Sequence, residues 1–150
     1  MKTLFLKTIT MFCVLTISIV LLNMAYINTN GYYAINDTGK FKEIPTNIEI
    51  CNIGNSHGQK GINYENIDLN GFNFALSGQD FYYDLQLLKA YSKNLSKDCI
   101  VLIVLSYFSY EMELYEESFM KRNPRYYEIL DKSFIWNYSS KDALRYKYFP

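Results

Sequence analysis

The chain has 150 residues, a formal net charge of zero and 20% charged residues. This length fits one domain of ordinary size. Because basic residues are not in excess, the sequence gives no indication of nucleic-acid binding. A hydrophobic content of 49%, with 17% aromatic residues, excludes a wholly disordered chain.

The N-terminus carries two lysines followed by a long apolar segment. Lys2 and Lys7 precede the uncharged run 8–27, and about 20 apolar residues span a hydrocarbon core of roughly 30 Å. The positive-inside rule places residues 1–7 in the cytoplasm and the rest of the chain outside it. A cleaved signal peptide has the same charged start and apolar middle. The run is long for a signal core and lacks a small-x-small cleavage site, so we predict a single-pass membrane anchor.

Residues 28–46 are rich in Asn, Gly and Thr and show no sustained period, which predicts a linker. The globular domain is expected over 47–150. Three of its segments have strand character: Asn47–Ile53, Gly71–Gly78 and Cys99–Ser109. The third is apolar without alternation from Cys99 to Leu105, which is typical of a strand covered on both faces of a parallel sheet.

Helical spacing appears between the second and third strands. The recurrence of Phe81, Leu85, Leu88 and Leu95, with Tyr91 near the same face, predicts a helix over Ser77–Asn94, and Ser77 is its expected cap. Further helices are predicted from Pro124 to Leu130, from Ser139 or Ser140 to Tyr146, and across the acidic residues 111–117 as a solvated face. Strands alternating with helices predict an α/β domain with a parallel sheet.

The three cysteines do not indicate a metal site. Cys13 lies in the apolar run, whereas Cys51 and Cys99 each lie in a strand-like segment and are expected to be buried free thiols. A disulfide between these two in an oxidising compartment remains open. Because the sequence has no C-x-x-C or His-rich spacing, no metal or other cofactor is predicted.

Polar turns follow the predicted strands. Ser56 and the only histidine, His57, come after the first strand, Gly78 after the second and Ser106 near the end of the third. In an open parallel sheet these turns meet at the carboxyl edge, where ligands bind. Backbone N–H groups at Ser56 and Gly78 are the kind of donor that acyl transfer needs for a developing oxyanion.

The stretch "NIGNSHG" resembles the first sequence block of the SGNH, or GDSL-like, hydrolase superfamily, and "FNFALSGQD" is similar to its second. The resemblance covers residues 47–109. It implies a three-layer, flavodoxin-like fold in which Ser56 is the nucleophile and the amides of Ser56 and Gly78 hold the oxyanion. "GNSHG" also looks like extracytoplasmic members that act as esterases or O-acyltransferases on cell-envelope polysaccharide.

The sequence departs from the family pattern in three places. Asn55 replaces the usual acidic residue before the serine. The third strand ends without the Gly-x-Asn block, and Ser106 and Ser109 stand there instead; with Asn55 they are candidates for substrate contact. The Asp-x-x-His block is absent, so either His57 is the base, or His57 orients the loop or touches substrate and the base lies outside these 150 residues.

Two interpretations follow. The chain is a piece of a longer esterase or acyltransferase, which its abrupt end favours, or it is a diverged relative without catalysis. The expected partners are the membrane and an envelope glycan or acyl ester. The alternative function is a non-catalytic anchored domain that binds glycan or a membrane partner through its aromatic tail. A weaker third interpretation is a small membrane protein that folds only with a partner.

Overall fold

A computed structural model describes residues 2–107, 109–110 and 123–148. The described residues fall into two compact units. The first takes its residues from Met1–Gly39 and Ser139–Pro150, and the second from Lys40–Tyr138. The second unit contains the predicted strands and every candidate site residue.

The first unit begins with α1, Lys2–Tyr26, a helix of 25 residues with no buried side chain and a mean hydropathy of 2.2 over its 18-residue apolar stretch. It starts earlier than the predicted anchor 8–27, because the lysine-flanked residues before Thr8 are also helical. By length and composition α1 is able to cross a membrane or to serve as a signal sequence. Within the segment predicted as linker lies a short helix that the sequence did not predict, α2, Asn30–Asn36.

A C-terminal helix completes the first unit. The predicted helix near the end of the chain is confirmed, and it runs over Ser140–Tyr148 (α5). Ser139 caps it, since its hydroxyl accepts the N–H of Asp142 at 3.2 Å. Within this unit the hydroxyl of Tyr32 donates to that of Tyr146 at 2.7 Å.

The second unit is built on a three-stranded parallel sheet in the order β2-β1-β3. Its strands are β1, Ile48–Gly54, β2, Gly71–Asn73, and β3, Leu95–Val104. Both neighbours of β1 run parallel to it. The prediction of an α/β domain with a parallel sheet is therefore confirmed.

The predicted second strand Gly71–Gly78 is too long, because the ladder of β2 ends at Asn73. The short helix α3, Ser56–Gly61, lies between β1 and β2. The amide of Asn73 donates to the carbonyls of Gly58, Gln59 and Ile62 at the end of α3. Asn73, the asparagine of the second family-like block, therefore holds α3 against the sheet.

In the described part of the second unit the longest helix is α4, Phe81–Ala90, which is shorter than the predicted Ser77–Asn94, and its predicted cap is wrong. Asp80, not Ser77, caps it, because the Asp80 carboxylate accepts the N–H of Tyr83 at 2.9 Å. The side chains that α4 buries are Tyr83, Asp84 and Leu87. Phe81 and Leu85 are instead exposed. Both faces have helical spacing, and the choice between them is made by a residue distant in sequence, Tyr126, whose ring stacks on that of Tyr83 at 3.6 Å.

The prediction that the third strand is covered on both faces is also wrong. Ile100 is 54% exposed and Ile103 is 59% exposed, and their odd spacing in β3 puts them on opposite faces of the strand. The reason is position, because β3 is the edge strand of the described sheet. Among the described residues, the layers that bury β1 do not extend over the apolar half of β3.

Beyond Tyr110, the chain is described again from Asn123 onward. The helix predicted from Pro124 to Leu130 is a 3₁₀ helix, Asn123–Glu128. It contributes the fully buried Tyr126 to the core. The predicted acidic helix face at 111–117 lies outside the described residues.

Candidate functional site

The candidate site lies where β1 and β3 end side by side. The chain passes from β1 to β2 on one side and then to β3 on the other. In an open parallel sheet, this change of direction leaves a crevice outside the carboxyl ends of the two diverging strands, and ligands bind there. Asn55 follows β1 directly and Ser106 follows β3 by two residues.

Gly54 sets how closely the two strand ends approach each other. It is the last residue of β1 and has a φ of 126°. A Cβ atom on this residue would lie 2.6 Å from the carbonyl oxygen of Val104. Only glycine fits this conformation and this contact without displacing β3.

Asn55 joins the turn after β1 to the turn after β3. It caps α3, because its Oδ1 accepts the N–H of His57 at 3.0 Å. Its Nδ2 donates to Oγ of Ser106 at 2.8 Å and reaches Oγ of Ser109 at 3.4 Å. The residue is 2% exposed, so its polar atoms organise the site from beneath the surface.

The histidine ring lies against the serine that follows β3. Nδ1 of His57 is 3.1 Å from Oγ of Ser106 and 3.2 Å from Oδ1 of Asn55. A protonated Nδ1 donates to these oxygens, whereas an unprotonated Nδ1 accepts the Ser106 hydroxyl proton. The two turns are further joined by the N–H of Ser106, which donates to Oγ of Ser109 at 2.9 Å.

Four of the six predicted site residues are therefore joined by hydrogen bonds: Asn55, His57, Ser106 and Ser109. Ser56 is the first residue of α3 and is partly buried. Gly78 lies in the turn after β2 with a φ of 63°, a conformation that favours glycine. Sheet topology places these two turns at the same edge of the sheet.

Asp84 is a further polar residue at this edge, and sequence reasoning missed it. Its Oδ1 accepts the N–H of Gly54 at 2.8 Å and the amide of Gln79 at 2.6 Å. Burial raises the pKa of Asp84 to about 6, although both hydrogen bonds act in the opposite direction. Asp84 follows Asp80 by four residues on α4, and this spacing was the available signal that both face the same side.

The cleft beside Asp84 leaves no room for a water molecule. Its lining combines Phe81 and Val104 with Gly54, Asn55, Gln79, Asp80 and Ser109. Within the described part of the chain, no cluster of three or more His, Cys, Asp or Glu side chains is arranged to hold a metal ion. The arrangement supplies an imidazole, hydroxyl groups and backbone N–H donors, which are the groups used in acyl transfer.

No protein-family model, curated protein or solved structure matches this chain.

Proposed function

We propose that this protein is a single-pass membrane protein whose extracytoplasmic domain carries out serine-dependent acyl-ester chemistry on cell-envelope polysaccharide. In this proposal it is an SGNH-like esterase or O-acyltransferase. The observation that carries the proposal is the His57 imidazole, held between Asn55 and Ser106 where β1 and β3 end. The order β2-β1-β3 of parallel strands supports a three-layer, flavodoxin-like arrangement.

The membrane placement is supported by how α1 satisfies its own polar groups. Of the five Ser and Thr side chains in α1, four donate to the carbonyl four residues earlier: Thr8, Thr10, Thr16 and Ser18. A polar group in hydrocarbon needs such an internal partner. Lys2 and Lys7 then assign the N-terminus to the cytoplasm.

In the proposed reaction, Ser56 Oγ attacks the carbonyl carbon of an acyl ester and its proton passes to an imidazole nitrogen of His57. The N–H groups of Ser56 and Gly78 stabilise the oxyanion of the tetrahedral intermediate. Collapse of this intermediate breaks the ester C–O bond, and the returned proton leaves with the alcohol. Water or a glycan hydroxyl then takes the acyl group from Ser56.

Ser106 holds His57 in this scheme. Its hydroxyl and the Asn55 amide oxygen both lie within 3.2 Å of Nδ1, which fixes the ring plane at an otherwise exposed position. The same contact makes Ser106 the competing candidate for the nucleophile, since its hydroxyl already lies at proton-transfer distance from the base.

The test compares serine variants of the full-length chain in detergent micelles. Hydrolysis of p-nitrophenyl acetate and covalent labelling by a fluorophosphonate probe are measured together. We expect Ser56→Ala to abolish labelling and to lower turnover roughly 100-fold or more. Ser92→Ala, at an exposed position remote from the site, is the matched control and should behave as the wild type.

Ser106→Ala separates the two serines. As a positioning residue it should keep the labelling of Ser56 but lower its rate, because His57 loses the hydroxyl that holds its ring, and Ser106→Thr, which keeps a hydroxyl, should restore the rate. Labelling lost in Ser106→Ala and kept in Ser56→Ala would move the nucleophile to Ser106. A wild-type chain that is neither labelled nor active would overturn the proposal in favour of a non-catalytic binding domain.

A further inference from the structure

Two thiols meet across the β1–β3 pair, away from the residues of the acyl-ester site. Sγ of Cys51 lies 3.8 Å from Sγ of Cys99, and both cysteines are free thiols. Cys51 is opposite Val101 in the ladder. The register shifts between Ile48, which is opposite Leu95, and Ile50, which is opposite Ile100. Cys99 lies in the part of β3 that this irregularity displaces, and there its sulfur reaches Cys51.

The two sulfurs differ in exposure. Cys51 is completely buried, whereas Cys99 is partly buried and lies on the edge strand. A disulfide has a sulfur–sulfur distance of about 2.05 Å, so each side chain needs to move by less than about 1 Å. The strand that carries Cys99 has no strand on its outer side among the described residues, which leaves it room for this adjustment.

We propose that Cys51 and Cys99 are a redox-modification site, at which a disulfide forms across β1 and β3 in an oxidising environment. The third cysteine, Cys13, lies in α1 and takes no part. In the cell the modification rests on the proposed extracytoplasmic placement, because thiols there meet disulfide oxidants. It does not depend on acyl-ester chemistry.

The oxidant is a disulfide, either a small molecule such as oxidised glutathione or an oxidised dithiol protein. The Cys99 thiolate attacks one sulfur of the oxidant, and a mixed disulfide forms with release of the first thiol. Cys51 then attacks Cys99 Sγ, breaks the mixed disulfide and releases the second thiol. Two cysteine thiols are oxidised, the oxidant takes up two electrons, and the two protons end on the released thiols.

The order of these steps follows from the surroundings of each sulfur. Burial, together with the neighbouring Cys99, raises the pKa of Cys51 to about 12, and only the thiolate attacks a disulfide. The more accessible Cys99 therefore reacts first. The closing step is expected to accelerate as the pH is raised from 7 to 9, since the thiolate fraction of Cys51 increases.

The test counts thiols in the full-length chain purified in detergent micelles. The protein is treated with dithiothreitol or with oxidised glutathione, denatured under acid, and alkylated with a polyethylene-glycol maleimide that shifts its mobility once per free thiol. We expect three shifts after reduction and one after oxidation. Intact mass should fall by two hydrogen atoms, and peptide mapping should join the segments that contain Cys51 and Cys99.

Three variants identify the pair. Cys13→Ser should leave no free thiol after oxidation. Cys99→Ser and Cys51→Ser should each lack the intramolecular link, and Cys99→Ser, at the less buried position, keeps the test valid if Cys51→Ser folds poorly. Three persistent thiols in the oxidised wild type, or glutathione adducts without the internal link, would overturn the proposal. Ser56→Ala should oxidise like the wild type, so failure of the acyl-ester proposal gives a different result from failure of this one.

Discussion

Apolar side chains around the central strand β1 are buried, whereas those on the edge strand β3 are largely exposed. In the packed region, formed by β1, β2 and α4, Ile48 and Leu87 are both 0% exposed. The open edge is the apolar run Ile100–Leu105, in which Ile103 is 59% exposed. The run 100–105 is wholly apolar, whereas β1 includes Glu49 and Asn52. Among the described residues, however, β1 has a strand on each side and β3 has one. The apolar composition of a strand therefore determines how strongly burial would stabilise it. The position of the strand in the sheet determines how much of its surface is buried.

The candidate site lies at the junction of these regions. Asn55 belongs to the turn after the packed strand β1, and Ser106 belongs to the turn after the edge strand β3. The hydrogen bond between them, at 2.8 Å, depends on both strand ends keeping their positions. Substitutions that distinguish the two regions therefore also show what supports the site.

The largest effect is expected at Gly54, where the two regions touch. In Gly54→Ala the new Cβ would meet the Val104 carbonyl oxygen at 2.6 Å, in a backbone conformation that alanine rarely adopts. We expect a loss of about 4 kcal/mol in the free energy of unfolding. Urea unfolding of the full-length chain in micelles, followed by fluorescence of the only tryptophan, Trp136, measures it.

Gly61→Ala is the control for this substitution, because a Cβ there meets nothing within 4 Å. It should change the free energy of unfolding by less than about 1 kcal/mol. Equal losses in the two variants would mean that the contact of Gly54 with β3 does not limit stability.

The second-largest effect is expected when the loss of stability at a leucine of the packed region is compared with the loss at an isoleucine of the open edge. Leu87→Ala should lower the free energy of unfolding by about 3 kcal/mol, since it leaves a cavity beneath α4. Ile103→Ala removes a side chain that is already 59% exposed and should cost less than about 1 kcal/mol. Similar losses in the two variants would show that the open edge is covered in solution.

The parallel sheet was predictable because apolar runs and glycine-rich turns are local features. The start and end of β1 are within one residue of the predicted strand. The buried face of α4 was not predictable, because Tyr83 and Leu87 have the same helical spacing as Phe81 and Leu85. Which of the two faces is buried depends on packing against Tyr126, more than 40 residues further along the chain.

The candidate site was likewise only partly predictable from the sequence. Ser56, His57 and Ser106 were candidates from strand ends alone, since parallel strands bring their carboxyl ends together. The contact of His57 with Ser106 was not predictable, because it depends on how α3 is capped and where β3 ends. Asp84 was missed because its contact with the site is made to a backbone N–H, that of Gly54, and the sequence does not show which backbone donors need an acceptor.

Asp84 provides the smallest and most selective test, since it places a titrating group inside the packed region. Burial raises its pKa from the ordinary value of 3.8 to about 6. As the pH rises between these values the unfolded chain loses its proton first, so the folded state loses stability. Asp84 alone should lower the free energy of unfolding by about 2 kcal/mol between pH 4.5 and pH 7.

Asp84→Asn should remove this pH-dependent loss and retain the fold, because the asparagine oxygen still accepts from Gly54 and Gln79. Asp98→Asn, an exposed position on β3, is the matched control and should keep the loss seen in the wild type. Urea unfolding of the three proteins at both pH values measures the effect. If Asp84→Asn kept the full pH dependence, the carboxyl group of Asp84 would have to be solvated in the folded chain, and the packed region would be open to water next to the candidate site.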